Sequence, residues 1–495
     1  MGGRKSAGAV AAGHRLVAEA AADVLREGGN AVDATIAGLW MACVCEPVLA
    51  SVGGGGFMLI VPPGKPGRLL DFFVQTPQRK PDPGELAFSQ IDADFGAATQ
   101  AFHVDAGSSA TPGYAQGLFA AHEVFSEFPM KRLLQPAIDC AKAGHTISPF
   151  QAEVARVVTP ILLYSEAARQ LFAPSGKLPL PGVSFANPQL ADALDAIAAE
   201  GVRIASEGEI AQAMVRSCSN GGLLTHRDFA AYQAQWRAPL LSSYDGHDLL
   251  LNPPPSCGGV LIADMLRRLD RIRGPKSPLH IAPAIDETDR LWREAEGSLV
   301  RFAAQLDRAQ TRQRGTTHIS VIDAAGLAVA ATVSNGEGNG LIVPGCGFML
   351  NNMLGEDDLV PQGVHRWTPD TRLSSMMAPS VVRTARGLVV ALGSGGSNRI
   401  RSAVLQCLLS LTSDASDDLA GLIEAPRLHV ENNHLDFEDF FPGAIRAALI
   451  AQFPDHRAWD VPNMFFGGVH AVRRTLNGTL QAAGDPRREG YAIIV

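Results

Sequence analysis

The sequence predicts a large α+β protein, with helices dominating its first part and β-sheet opening its second. Three observations carry this. Apolar residues recur at helical spacing in the first half, as in Leu16, Ala20 and Val24 beside Val17, Ala21 and Leu25. After Gly315 the texture changes to alternation, with Thr317, Ile319 and Val321 set against His318, Ser320 and Ile322. Glycine runs abut strand-like stretches in "GGGGFMLIV" and "LVVALGSGGSN".

Taken in order, the first helical stripe stops at Gly28-Gly29. Asn30 then reads as an N-cap with Asp33 in the first turn of a second, mostly apolar helix running towards Pro47. The run Gly53 to Gly56 lacks the lysine and hydroxyl of a phosphate loop and reads as a place where two backbones pass closely. "KRLLQPAIDCAKAG" reads as a helix closed by Gly144. "LLSSYDGHDLLL" reads as a hairpin turning on Asp245-Gly246. After "NPPPSCGG" comes a helix from about Val260 to Ile272. Residues 274 to 285 are rich in proline and turn formers, and a charged helix is expected from Asp286 to Ala309. Thr311 to Arg314 form a polar tether. Beyond it lie two strands joined by "DAAG", a strand "GLVVAL", and a helix from about Arg399.

The bulk composition narrows the function. A chain of 495 residues suggests several modules or one large layered domain. Its net charge of -8 gives no basic surface for nucleic acid or acidic lipid. No apolar run reaches the ~20 residues of a membrane span. The first residues are too weakly apolar for a signal-peptide core, so a cytoplasmic location is expected. The seven cysteines form no CxxC pair, which argues against a disulfide framework or a zinc site, and the histidines show no metal spacing. There is no GxSxG, HExxH or GxxxxGK[ST].

Two stretches could carry chemistry. In "RQRGTTHIS" a polar tether runs into a strand that opens with two threonines. An internal threonine hydroxyl has no reason to be nucleophilic. At a chain terminus its own α-amino group, titrating near ~8, can act as base. Exposing that amine requires cutting Gly315–Thr316, and glycine before the bond tolerates the strained conformation such a cut needs. In "LGSGGSN", the amides of Gly395 and Gly396 lie where a helix begins and could hold an oxyanion.

With these stretches the chain resembles the γ-glutamyltransferases of the N-terminal-nucleophile hydrolase class. "EGGNAVDATIA", "GGGGFMLI", "NGGLLTHRDFAAY", "PPPSCGGVLIADML", "TTHISVID", "GCGFMLNNM", "RLSSMMAPS", "GSGGSNRI" and "AAGDPRREGY" occur in the family's order over nearly the whole chain. The resemblance implies a four-layer αββα sandwich. It would be built from both halves of a self-cleaved precursor, residues 1–315 and 316–495, as a heterodimer of its two fragments. It implies Thr316 as nucleophile, Ser334 as its supporting hydroxyl, and Gly395 and Gly396 as the oxyanion glycines. Asn335 falls close to the family's substrate-amide-binding asparagine, in a stretch that is shorter here. Ser374 and Ser375 fall on the pair that holds the substrate carboxylate. The aspartate that binds the α-amino group corresponds to Glu356 or Asp357. No metal or organic cofactor is implied, and the partners are a small amide substrate and water or an amine.

The chain also departs from the pattern. Where the family has an arginine for the glutamyl α-carboxylate, "LLDFFVQTP" places Phe73, and the family's glutamine after its paired asparagines is Met353. A missing guanidinium leaves a carboxylate poorly held. Arg372 is the candidate replacement, and an arginine restored at position 73 would improve the grip. Three readings follow: γ-glutamyl transfer or hydrolysis; an acylase or carbon–carbon-cleaving enzyme of the same fold with a non-glutamyl substrate; and an uncut binding homologue.

Overall fold

The computed structural model describes residues 6–94, 99–295, 298–299, 301–302, 315–356, 359, 364–384, 387–413 and 417–495. The tether at 311–314, the last part of the charged helix expected up to Ala309, and Asp357 lie outside these residues.

Two antiparallel sheets lie face to face. The first contains β1 (Gly8–Ala12), β2 (Gly55–Val61), β3 (Arg68–Phe72), β4 (Gln235–Arg237), β7 (Thr317–Asp323), β8 (Ala328–Ser334) and β13 (Tyr491–Ile494). The second contains β5 (Leu240–Tyr244), β6 (His247–Leu251), β9 (Ser380–Arg383), β10 (Val389–Gly395), β11 (Gly468–Arg474) and β12 (Leu480–Gly484). The first sheet runs β13–β1–β7–β8–β2–β3–β4 and the second β12–β11–β10–β9–β6–β5. The strand that follows Gly315 is therefore central, with β1 on one side and β8 on the other, Ile319 opposite Ala12 and Ala331.

Alternation divides the strands between two cores. Val10, Met58, Ile60, Ile319 and Val321 face an outer helical layer. Ala9, Phe57, Leu59 and Ile322 face the second sheet. The outer layer holds α1 (Arg15–Arg26), α2 (Ala31–Cys45), α3 (Tyr114–Phe125) and α4 (Met130–Ala143), with a fifth helix, α5 (Pro149–Val157), at the end of the sandwich that carries Gly315. Helices α6 (Gly258–Asp270) and α8 (Arg399–Thr412) cover the second sheet, and α7 (Pro278–Glu294) packs on α6. This is the four-layer αββα sandwich. All fifteen residues of α2 are buried, so it is apolar all round rather than striped, as a helix enclosed between neighbours must be.

Local signals held where the physics is local. Asn30 caps α2, and Asp33 returns a bond to the Asn30 amide at 3.0 Å. A Cβ on Gly54 would clash with the Ser334 carbonyl and one on Gly53 with the Met349 carbonyl, so the glycine run is a close backbone crossing. Asp245 and Gly246 both take positive φ, 49° and 78°, as a tight hairpin turn requires. One boundary differs. The charged helix begins at Pro278, inside the segment read as turns, because Pro278 occupies the first helical turn, where no amide is needed, and Ser277 caps it.

Among the described residues no helix is long and apolar enough to cross a membrane, and no group of His, Cys, Asp or Glu is placed to hold a metal. All seven cysteines are free, and all but Cys140 are buried.

Asp33 is wholly buried and also accepts the amides of Glu127 and Phe128, which ties α2 to the turn between α3 and α4. Asp33→Ala leaves these donors unsatisfied. It is expected to cost about 1–3 kcal/mol, read as a lower thermal midpoint; an unchanged midpoint would contradict this role.

Candidate active site

Thr316 stands at the entrance to β7, between the two sheets and only 5% exposed. The chain is continuous here, and two hydroxyls converge on the carbonyl oxygen of Gly315. Thr316 Oγ1 donates to it at 2.7 Å and Ser334 Oγ at 2.6 Å. The Gly336 amide donates to Ser334 Oγ at 3.0 Å, fixing that hydroxyl's orientation. The Gly315 amide donates to Glu337 Oε1 at 2.8 Å. The bond is thus gripped on both sides, with its carbonyl polarised and a threonine hydroxyl beside it. This arrangement can favour attack on the Gly315 carbonyl carbon by drawing charge onto its oxygen.

The neighbouring side of β7 is set by a buried histidine. His318 lies between Thr332 Oγ1 at 2.7 Å and Ser320 Oγ at 2.9 Å. Ser320 donates its own proton to the His470 carbonyl, so it accepts from His318 Nε2 and Thr332 donates to Nδ1. Burial, and next the charge of His470, hold His318 well below the usual histidine range, so the ring is neutral. A Cβ on Gly393 would clash with this ring, which is why β10 carries glycine there.

Behind Thr316, Thr317 donates to both oxygens of Glu46, at 3.1 and 3.2 Å. Burial pushes the Glu46 carboxyl up to about 7, while the Thr317 hydroxyl and Arg488 pull it down. Arg488 donates to the Thr316 carbonyl at 3.4 Å. Burial, then the like charge of Arg399, lowers its pKa to about 10.

A cleft of about 340 Å³ opens at Thr316. Ser334, Phe73, Met353, Glu356 and Ser375 line it, together with Leu359, Met376, Met377, Ser397 and Ile400. Thus Thr316, Ser334, Phe73, Met353, Glu356 and Ser375 come together as the sequence suggests. Ser374 sits beside the cleft, its hydroxyl buried with no hydrogen-bond partner among the described residues. Asn335 is wholly buried, and its side-chain amide also has no such partner, but it does not line the cleft.

Gly395 closes β10 directly against the Thr316 carbonyl, where a Cβ would clash, Gly396 follows with a positive φ of 120°, and Ser397, with a left-handed φ of 59°, lines the cleft. One expectation needs correction. Arg372 does not replace the missing arginine. It donates to the carbonyls of Phe73 and Gln233 and to Tyr232 Oη, lies 3.5 Å from Asp71, and packs over the Tyr232 ring behind the cleft. Sequence reasoning missed Glu46, Glu337, Arg488 and Ser397. Their roles depend on contacts far along the chain or on backbone geometry that no local pattern announces.

Comparisons with known proteins bear on the family and the fold. The family model described as Gamma-glutamyltranspeptidase matches residues 17–282 and 280–495. The chain is 29% identical to the Acylase ACY 1 proenzyme of a Pseudomonas species, over 99% of this chain and 94% of that one. It is 28% identical, over the same shares, to the glutathione hydrolase proenzyme of Pseudomonas aeruginosa. Among solved structures, cephalosporin acylase from Bacillus halodurans superposes with a TM-score of 0.85, over 100% of this chain and 97% of that one; at 20% identity this is a likeness of fold. Gamma-glutamyltranspeptidase from Helicobacter pylori gives a TM-score of 0.51 at 26% identity, over 58% of this chain and 82% of that one.

Glu46 provides a pH test. Its folded pKa lies above the ordinary 4.5, so the fold favours the protonated acid. That contribution is complete below about pH 4.5 and is lost as pH rises through about 7. Glu46→Gln has no such loss. Its thermal midpoint is expected to gain on the wild type steadily between pH 4.5 and 7 and to hold that gain above. A difference independent of pH would contradict the buried acid.

Proposed function

The chain belongs to the gamma-glutamyltranspeptidase family, and on that premise we propose that it cuts itself between Gly315 and Thr316. Thr316 then serves as the nucleophile of an amide hydrolase or acyltransferase. The observation that supports this best is the pair of hydroxyls on the Gly315 carbonyl oxygen. Thr316 Oγ attacks the carbonyl carbon, the C–N bond breaks, and an ester links Gly315 to the threonine while the freed nitrogen becomes an amine. Water releases the ester, leaving fragments 1–315 and 316–495 held together as one sandwich. The new amine sits on the same residue as the hydroxyl and takes its proton when a substrate amide is attacked. The substrate's amine leaves, and water or another amine receives the acyl group.

The acyl group is read from the charge of the cleft. Glu356 is its one ionisable lining group, and no lysine or arginine faces it among the described residues. The remainder is hydroxyls and apolar side chains, with Phe73 stacked on Phe57 at 5.4 Å. A carboxylate brought here loses water without gaining a cationic partner. We therefore favour an acylase for acyl groups that carry no carboxylate over a γ-glutamyl enzyme. The γ-glutamyl reading keeps the support of Ser375 at the cleft and Ser374 beside it. Because Phe73 lines the cleft, an arginine at position 73 would offer a substrate carboxylate the cationic partner it lacks, at the cost of the stacking on Phe57.

Thr316→Ala should remain a single uncut 52.3 kDa chain without activity, and Thr316→Ser should cut and turn over. Denaturing electrophoresis and an amide assay check both, and turnover by Thr316→Ala at the wild-type rate would overturn the assignment. A donor series tests the acyl side. Butyryl and 4-aminobutyryl anilides should exceed glutaryl and γ-glutamyl anilides about tenfold or more in kcat/KM. A γ-glutamyl donor that outperforms butyryl would overturn it.

A further inference from the structure

Helix α5 presents two different faces. Phe150, Val154 and Val157 are turned to the end of the sandwich that carries Gly315. Gln151 and Ala155 line a separate cavity of about 420 Å³, which Cys45, Pro47, Phe172 and Phe185 wall from other sides. That volume falls within the roughly 300–1,000 Å³ range of small-molecule sites. Neither Gly315 nor Thr316 lines this cavity, and among the described residues only Val48 lines both it and the Gly315 side. No charged side chain lines it among the described residues. Cys45 is its one ionisable group. The Cys45 thiol donates to the Met41 carbonyl at 3.3 Å, and burial pushes it well above the usual thiol range, so it stays protonated.

Gln151 breaks the apolar lining. It is 6% exposed, and its side-chain amide nitrogen is buried with no hydrogen-bond partner among the described residues. Its backbone amide is already committed, donating to the capping Ser148 Oγ at 3.1 Å. A buried N–H without an acceptor is costly, and an acceptor brought into the cavity removes that cost. The rim favours apolar molecules. Leu178 and Pro179 line the cavity, and the loop that continues from them leaves Leu180 71% and Val183 46% exposed. We propose that this cavity is a second binding site, for a small neutral molecule with an apolar body and one carbonyl oxygen, which accepts from Gln151 Nε2. Aryl or alkyl ketones and esters have this chemistry. An ion does not suit the site, because it would lose its water and meet no counter-charge. The assignment does not depend on the reading of Thr316 as the nucleophile.

The test uses acetophenone and α-methylstyrene, which differ only in a carbonyl oxygen against a methylene carbon. Titration followed by the ligands' NMR signals should show both binding to the wild type and each displacing the other. Gln151→Leu keeps the side-chain volume and removes the donor. It should weaken acetophenone about fivefold relative to α-methylstyrene. Ala155→Phe fills the cavity from α5 and should weaken both ligands about tenfold or more. Without ligand, Gln151→Leu should melt no lower than the wild type, because the amide it removes has no partner to lose. A lower midpoint would place a partner for that amide within the protein and overturn the proposal. So would an affinity ratio unchanged in Gln151→Leu, or both affinities unchanged in a folded Ala155→Phe. The ratio in Gln151→Leu decides the matter whether or not Ala155→Phe folds.

Discussion

The carbonyl of Thr316 crosses Gly395 so closely that any side chain at 395 would collide with it. This approach of the two sheets is the constraint on which the rest of the site depends. It fixes where β7 begins and holds the Gly315–Thr316 bond at the mouth of the sandwich. The face of β7 that follows, with His318 and Ser320, is thereby turned into the layer between the sheets. His318 extends the same close packing one step deeper, under Gly393, as a neutral ring between two hydroxyls. Charge at that position would meet the desolvation that already depresses its pKa.

Electrostatic asymmetry then separates the two sides of the bond. On the Thr316 side, Glu356 lies among hydroxyls and apolar groups; on the Gly315 side, Arg399 and Arg488 face an apolar wall. Phe73 and Arg372 leave the first side without a cation among the described residues. The phenylalanine fills the core against Phe57, while Arg372 reaches the backbone carbonyl of that same phenylalanine from behind.

What the sequence made legible was whatever rests on neighbours in the chain. The cap at Asn30, the apolar period of α1, the turn at Asp245-Gly246 and the alternation after Gly315 depend on a few adjacent residues, and each appears in the fold. Thr316 was legible through the family resemblance, because a glycine before an alternating strand is by itself no more than a strand start. Glu46 could not be found this way, because it meets Thr317 across 271 positions. Arg488 reaches Thr316 across 172. Glu337 is near in sequence, yet only the turn through Gly336 brings it to the Gly315 amide. Ser397 could not be read from the loop because strand β10 runs on to Gly395 and leaves Ser397 in a conformation usually reserved for glycine. The start of α7 was missed because proline ends most helices yet fits the first turn of one.

The central claim is that one residue, Thr316, is both the terminus made by the cut and the atom that carries the acyl group. The most direct test is acid quench of the mature protein during turnover of the butyryl anilide, followed by peptide mass mapping. The account predicts a fragment that begins at Thr316 and carries one butyryl group on that residue. An acyl group on any other side chain, or steady turnover by protein still intact across Gly315–Thr316, would contradict it.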